Sequence, residues 1–238
     1  MVGGREAERH LTQQLFTQDW AIYRKMVDND YLFHRGAYGC LKEVLTKDVD
    51  RPFLFLDIAC GDAGTVTEAL TGTKIAGYYG IDISKQALDI AERNLVSLGC
   101  PIRFEQRNFV DALDAWTERL DIVWIGLSLH HLRAPEKLQV MKRIRGLIGE
   151  DGWLLIYENA SPDGESRQKW LERWDAQKSA WTAYTPAEWA YVTANVHASD
   201  FPETETGWQN LGAEAGFNSI AALYVSPSNL FRLYSFRP

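Results

Sequence analysis

The chain is short of cysteine, of basic charge and of long apolar runs, and each shortage removes a class of protein. Its 238 residues hold three cysteines, Cys40, Cys60 and Cys100. They are scattered, with neither the even pairing of a disulfide scaffold nor the spacing of a zinc site, and they suit a reducing compartment, the cytoplasm. No acids cluster with His at ligand spacing, so no metal site is expected. Lysine and arginine number 25 against 32 aspartates and glutamates, a net charge of −7. The broad basic footprint of a duplex-binding protein is therefore missing, which disfavours a nucleic-acid partner. No stretch approaches the roughly 20 apolar residues that span a bilayer, and Met1 to His10 is too polar for a signal peptide. What the chain has is apolar bulk: hydrophobic residues make up 46% and aromatics 12%. That is enough core for one α/β domain with an appended lid.

The most informative segment is Phe55-Leu56-Asp57-Ile58-Ala59-Cys60-Gly61-Asp62-Ala63-Gly64. An apolar run ends in an acid, turns through small residues and enters a helix-like stretch, Thr65 to Leu70. This reads as buried strand, tight loop and helix start, where small residues let backbone approach a ligand and a helix N-terminus offers free N–H groups. A second apolar run, Tyr79-Gly80-Ile81-Asp82-Ile83, also ends in an acid, the usual partner of a pair of ribose hydroxyls. A nicotinamide fingerprint needs G-x-G-x-x-G. Gly61 and Gly64 fill its last two places, but Ala59 stands at the first, where the tight turn is made.

Around this segment the chain organises simply. Leu11, Leu15 and Phe16, then Ile22, Tyr23 and Met26, recur at helical spacing, and a second helix is expected from about Tyr31 to Leu45. Strands are expected at Phe53 to Ile58, Tyr78 to Ile83, Ile102 to Gln106, Leu120 to Leu127 and Gly152 to Tyr157. Helices come between them: Lys85 to Leu98, N-capped by Ser84 and stopped at Gly99, and about Pro135 to Ile148. Alternating strands and helices imply a parallel sheet. A helix from Glu203 to Ala215 then precedes two strands, Ser219 to Val225 and Leu230 to Phe236, whose short link allows only antiparallel pairing. The expected parts are a helical N-terminal lid (1–50), a core (51–160), a helical insertion (161–202) and a C-terminal helix with hairpin (203–238).

With Asp57 before the loop and the hairpin at the end, the chain resembles the class I S-adenosylmethionine (SAM) dependent methyltransferases, whose first motif reads D-x-G-x-G-x-G. The resemblance covers roughly 53–160 and 207–238. Ala59 and Ala63 replace two of the motif's glycines. Ala59 is tolerable where φ is negative, and Gly64 could take the flexible position in place of Ala63. The resemblance implies an α/β, Rossmann-like sheet, mainly parallel with an antiparallel end. It implies SAM as cofactor, S-adenosylhomocysteine as product, and a small-molecule acceptor. By the same resemblance, backbone around Ala59, Cys60 and Gly61 takes the methionine part. Asp57 holds the loop or reaches the amino group, Asp82 accepts the ribose hydroxyls and Ile83 packs on the adenine. Asn108, where the family usually has an acid, takes the adenine amino group; the Phe109 N–H binds the ring, and Leu127 lines the cavity near the sulfonium. Structural alternatives stand beside these: Asp57 as a loop cap, Asp82 as a helix cap, Asn108-Phe109 as a simple turn with a core Phe.

Three residues are candidates for a general base, which is required only when the acceptor must lose a proton. His131 ends strand four in Ser128-Leu129-His130-His131, where an extended segment would point the two His rings oppositely. Glu158 ends strand five, where it could act as base, bind an ammonium substrate or merely cap the next segment, and His34 lies on the N-terminal lid, where a solvated helix His is the commoner outcome. In the insertion, Trp170, Trp174 and Trp181 are expected on one helix face, and Thr185-Pro186-Ala187-Glu188 reads as a capping box. Their rings could pack a lid, line an acceptor pocket or form a homodimer surface. The leading reading is O- or N-methylation of a small molecule. The alternatives are a SAM-binding regulator without turnover, a macromolecular methyltransferase, which Gly126-Leu127-Ser128-Leu129 disfavours at the end of strand four, and a nicotinamide oxidoreductase.

Overall fold

The structure, a computed structural model, describes residues 20–238; the helical spacing of Leu11, Leu15 and Phe16 lies outside them. Two helices come first, α1 (Trp20–Asp28) and α2 (His34–Lys47). The second begins later than its sequence pattern suggests, because Asp30 and Phe33 both take φ 53, the left-handed region that interrupts a helix.

An alternating series follows: β1 (Phe53–Ile58), α3 (Gly64–Leu70), β2 (Ile75–Asp82), α4 (Lys85–Asn94), β3 (Ile102–Gln106), α5 (Phe109–Ala115), β4 (Leu120–Gly126), α6 (Ala134–Leu147) and β5 (Ile148–Ser161). Ser84 caps α4, its Oγ accepting the Ala87 N–H at 3.2 Å. A 3₁₀ turn, Leu95–Leu98, carries that helix to Gly99, whose φ of 65 ends it as expected. The helix α5 had no clear sequence signal; Asn108 creates it by capping, accepting the Val110 N–H at 3.0 Å. The insertion folds as α7 (Arg167–Asp175) and α8 (Pro186–Ser199). The chain ends with β6 (Glu203–Thr204), α9 (Glu205–Glu214), β7 (Ser219–Val225) and β8 (Phe231–Arg237).

The sheet runs β3-β2-β1-β4-β5-β8-β7, with β6 beside the end of β5. Its first five strands are parallel, and β8 pairs antiparallel with both β5 and β7. Alternation along the strands sends Phe53 and Phe55 to one face and Leu56 and Ile58 to the other. The first face packs under α2, α3, α7 and α8, the second under α5, α6 and α9. Two boundaries moved: β2 starts at Ile75 and β5 runs from Ile148 to Ser161, because Ile75 pairs with Phe53, Ile148 with Leu120 and Ser161 with Thr204. The helix expected from Glu203 begins only after β6, where Thr204 accepts the Gly207 N–H at 3.0 Å as its cap. The chain leaves β1 for β2 on one side and later returns to place β4 on the other. The point between β1 and β4 is thus the switch where such sheets open a crevice beyond their carboxyl ends.

Candidate active site

A cavity of about 1100 Å³ lies at that crevice. Its walls come from the ends of β1, β2, β4 and β5, and from α1, α2, α7 and α8. Asp57, Ala59, Cys60, Gly61, Asp82, Ile83, Asn108, Phe109, Leu127, His131 and His34 all line it, so the fold brings nearly every residue singled out above to one place. Glu158 lies just behind, fully buried.

The loop after β1 departs from expectation in its backbone. Ala59, Gly61 and Ala63 have φ 55, 54 and 52. Both alanines occupy the left-handed region themselves, and Gly64 simply starts α3. A negative φ at Ala59 and a takeover by Gly64 are therefore corrected: the loop keeps its three left-handed turns and bears about 1–2 kcal/mol of strain at each alanine. Asp82 holds the loop in place, one carboxylate oxygen accepting the Gly61 N–H at 2.9 Å and the other the Ser84 N–H at 2.8 Å. The helix-capping alternative for Asp82 is thus real, and each oxygen keeps a lone pair beside the cavity. Gly80 in β2 is required: a Cβ there would stand 2.9 Å from the Cys60 Sγ and 2.8 Å from Phe104.

Asp57 accepts the Tyr78 hydroxyl at 2.8 Å. Burial pushes its carboxyl up to about 8, against the pull of that hydroxyl, and Asp82 pushes the same way. Burial also raises Asp82, opposed by the N–H groups of Ser84, Gly61 and Ile83. Among the described residues no cation is among the groups acting on either acid. Two buried carboxylates at the ends of adjacent strands, without a basic partner, make a wall suited to a cationic ligand. Asn108 is engaged differently from expectation, since its side-chain oxygen caps α5; its amide nitrogen remains as a donor.

Beyond β4, Leu127 takes φ 52 and the chain enters a 3₁₀ turn, Leu129–His131. The segment is not extended, so His130 and His131 both face the cavity, with ring centroids 4.1 Å apart. Glu158 organises this turn. One of its oxygens accepts the N–H groups of Ser128 and Leu129; the other accepts from Asn159 at 3.1 Å and meets the His130 Nδ1 at 2.7 Å. Burial would raise Glu158, but His130, Lys137 and the Ser128 N–H outweigh it and keep the carboxyl below its usual value. An ionised, fully occupied Glu158 is a positioning group, which corrects its reading as a base or substrate ligand. His130 is depressed by burial yet raised overall by Asp200 and Glu158. Burial and His130 push His131 well below the ordinary range, so it is neutral.

Asp200, absent from the sequence reading, joins this group: its oxygens lie 3.8 Å from His130 Nε2 and 3.7 Å from His131 Nδ1. Three potential metal donors, His130, His131 and Asp200, thus lie within 4.8 Å of one another. Nothing in the sequence could show it, because α7 and α8 intervene between the His pair and the acid.

The lids differ from expectation as well. His34 is buried rather than solvated, and desolvation drops it to about 4. Trp170 and Trp174 share a face of α7, but Trp181 follows that helix. Trp170, Trp181 and Trp189 are buried, each against Trp174, and Trp181 also meets Trp189; only Trp174 of the four lines the cavity. They pack the lid and present no exposed surface to a partner. The capping box of α8 forms as expected, Thr185 and Glu188 exchanging hydrogen bonds. Among the described residues no helix is long and apolar enough to cross a membrane.

Residues 55–152 match the family model described as a methyltransferase domain. Carboxy-S-adenosyl-L-methionine synthase 1 of Yersinia pseudotuberculosis is 23% identical over 171 residues, 70% of this chain and 70% of that protein. Ubiquinone biosynthesis O-methyltransferase of Thiobacillus denitrificans is 30% identical over 101 residues, 42% of each chain. The solved structure of magnesium protoporphyrin IX methyltransferase from Synechocystis PCC 6803 with bound SAM shares the fold at TM-score 0.65 and 12% identity, over 97% of both chains.

Proposed function

We propose, for a chain that belongs to the class I SAM-dependent methyltransferases and takes SAM as its cofactor, that the acceptor is a small molecule methylated on oxygen or nitrogen. The observation that carries the reading is the pair of buried acids, Asp57 and Asp82, facing the cavity with no cation acting on them among the described residues. They fit a ligand that is itself cationic, with an ammonium and a sulfonium. Asp57 would receive the amino group and Asp82 the ribose hydroxyls. Backbone of Ala59, Cys60 and Gly61 would take the methionine part, Ile83 and Phe109 the adenine faces, and Leu127 the wall near the sulfonium. Asn108 would offer its amide nitrogen toward the base.

When bound, SAM supplies an electrophilic methyl on a sulfonium, open to in-line attack. The protein's part is placement and desolvation: holding donor and nucleophile in near-attack geometry in a dry pocket. The cavity, at about 1100 Å³, lies just above the ~300–1,000 Å³ usual for one ligand, which leaves room for an acceptor beside the cofactor. Residues 161–202 face that acceptor through Trp174, Val192 and Val196. His131 and His34, both held neutral, are bases competent to take a proton from a hydroxyl, and a neutral imidazole is what that role requires. Kinship to a ubiquinone biosynthesis O-methyltransferase supports a small acceptor and an oxygen target.

The test is calorimetric titration with SAM, with NAD as control and Asp82→Ala alongside, followed by acceptor screening with label-bearing SAM. Binding of SAM that collapses in the variant, with NAD silent, is expected. Folded, nucleoside-free protein that gives no heat with SAM would overturn the reading; mass spectrometry of the extract establishes that no nucleoside co-purified. A regulator without turnover would bind SAM and label no acceptor.

A further inference from the structure

The acceptor side of the cavity holds a group of donors that a methyl transfer does not by itself need. His130, His131 and Asp200 place one donor atom each within 4.8 Å of the others. Two are imidazoles and one a carboxylate, and all three line the cavity. The geometry points to a divalent-cation site formed by His130 Nε2, Asp200 and His131, whose Nδ1 meets the Ser199 carbonyl at 3.5 Å and would turn from it to the ion, open on its cavity side to an oxygen of the acceptor.

Three features support it independently. The first is the outer shell. Ionised Glu158 takes the His130 Nδ1–H at 2.7 Å, which leaves the Nε2 lone pair directed to the side where Asp200 lies 3.8 Å away. Asp200 is oriented in turn by the Asn159 amide at 2.8 Å. Ligands held by such partners are the usual construction of a metal centre. The second is the backbone that delivers Asp200. The Phe201 N–H binds the His130 carbonyl at 2.7 Å and Arg167 Nε binds the Asp200 carbonyl at 2.6 Å, so the acid is fixed to the His turn across the whole insertion. The third is charge. Lys137, the buried cation behind the group, is already matched by Glu203 at 2.7 Å. Two acids, Glu158 at 2.7 Å and Asp200 at 3.8 Å, face His130, so an ion held there would sit between carboxylates.

Tetrahedral ligation at ~2.0–2.1 Å puts donors about 3.3 Å apart, so less than an ångström of movement at each group closes the site. Three protein donors with a position left open is the pattern of reactive rather than structural metals. Imidazole with carboxylate suits Zn²⁺, Fe²⁺ or Mn²⁺ over Ca²⁺. On the methyltransferase reading, a hydroxyl bound there would have its pKa lowered by the cation, with His34 rather than the ligated His131 left to take its proton, so the acceptor class is an alcohol, phenol or carboxylate rather than an amine.

The experiment needs neither SAM nor acceptor. Metal-stripped full-length protein is titrated with ZnCl₂ by calorimetry and with Co²⁺ by visible absorption, for the wild type, His131→Ala, Asp200→Asn and His197→Ala. One equivalent is expected. Affinity should fall in the first two variants by at least the roughly 10–100-fold that losing even an outer partner costs. His197 is exposed and pairs with Asp175, so its variant should match the wild type. Circular dichroism checks folding, and if Asp200→Asn fails to fold, His131→Ala decides alone. No saturable binding to folded wild type, or equal binding in the His131 variant, overturns the site, while SAM titration of the same sample reports separately on the cofactor reading.

Discussion

The Nδ1 of His130 stands 2.7 Å from a Glu158 carboxylate that also holds the backbone of the turn on which His130 sits. One side chain therefore sets both the position and the tautomer of the other. In Glu158→Gln, the N–H groups of Ser128 and Leu129 would keep the amide oxygen, turning the NH₂ toward Nδ1. His130 would then carry its proton on Nε2 and lose the Coulomb support that raises it. A lower His130 pKa by NMR titration is expected, with SAM affinity unchanged and turnover reduced about 10–100-fold. An unaltered His130 titration would contradict this arrangement.

Asp57 makes the cofactor-free protein sensitive to alkali. Its folded carboxyl titrates near 8 against 3.8 ordinarily, so between these values the folded state holds the extra proton. Stability from this group is complete below the lower value and is lost as pH rises through the upper one. Thermal melts of the free protein should fall between pH 5 and pH 8, and Asp57→Asn should flatten that slope while weakening SAM. Because a cation favours the ionised acid, SAM binding at pH 7 should release close to one proton, measured by calorimetry in buffers of different ionisation enthalpy.

The left-handed alanines give opposite forecasts at two positions. Ala59 is half-buried at the cavity wall and Ala63 is buried. Ala59→Gly relieves about 1–2 kcal/mol of strain and loses about 0.5–1 to chain entropy, a net gain of about 0.5–1 kcal/mol by urea unfolding. At Ala63 the buried methyl, worth about 0.8 kcal/mol, cancels that gain, and Ala63→Gly should be near neutral.

Lys25 on α1 pairs with Glu188 on α8 at 2.7 Å. Glu188 is held down to about 2 by Lys25 first and by the Thr185 N–H, so its contribution is present above the ordinary glutamate range and is lost only as pH falls toward 2. Glu188→Gln keeps the cap and drops the ion pair. Stability should be nearly unchanged, as for most exposed pairs, while stopped-flow release of SAM quickens and loses its salt dependence.

Much of this was legible in the residues. Apolar runs bounded by Pro52 and Gly99 mark β1 and the end of α4, and Asp57, Asp82 and Asn108 sit at the cavity as their places at strand ends implied. Backbone sign was not legible: alanine at a glycine position reads as tolerance of a negative φ, whereas Ala59 and Ala63 accept a positive one because Asp82 and the start of α3 determine the loop. The role of Glu158 was hidden because it depends on a turn after β4 that contains no Gly, Pro or Asn signal. Asp200 was hidden for a different reason. Its partners are brought to it by the tertiary path of the insertion, and no local period records that.

The helices α1 and α2 and the segment 161–202 are fastened to each other as well as to the sheet. Tyr31 stacks on Trp181 at 4.8 Å, the Tyr31 hydroxyl takes the Ala183 N–H, and Tyr184 reaches the Ile22 carbonyl. Tyr23 and Met26 line the cavity from one cover, Val192 and Asn195 from the other. A donor and an acceptor bound in this cavity would therefore share one door, and loosening either cover would open the way to both.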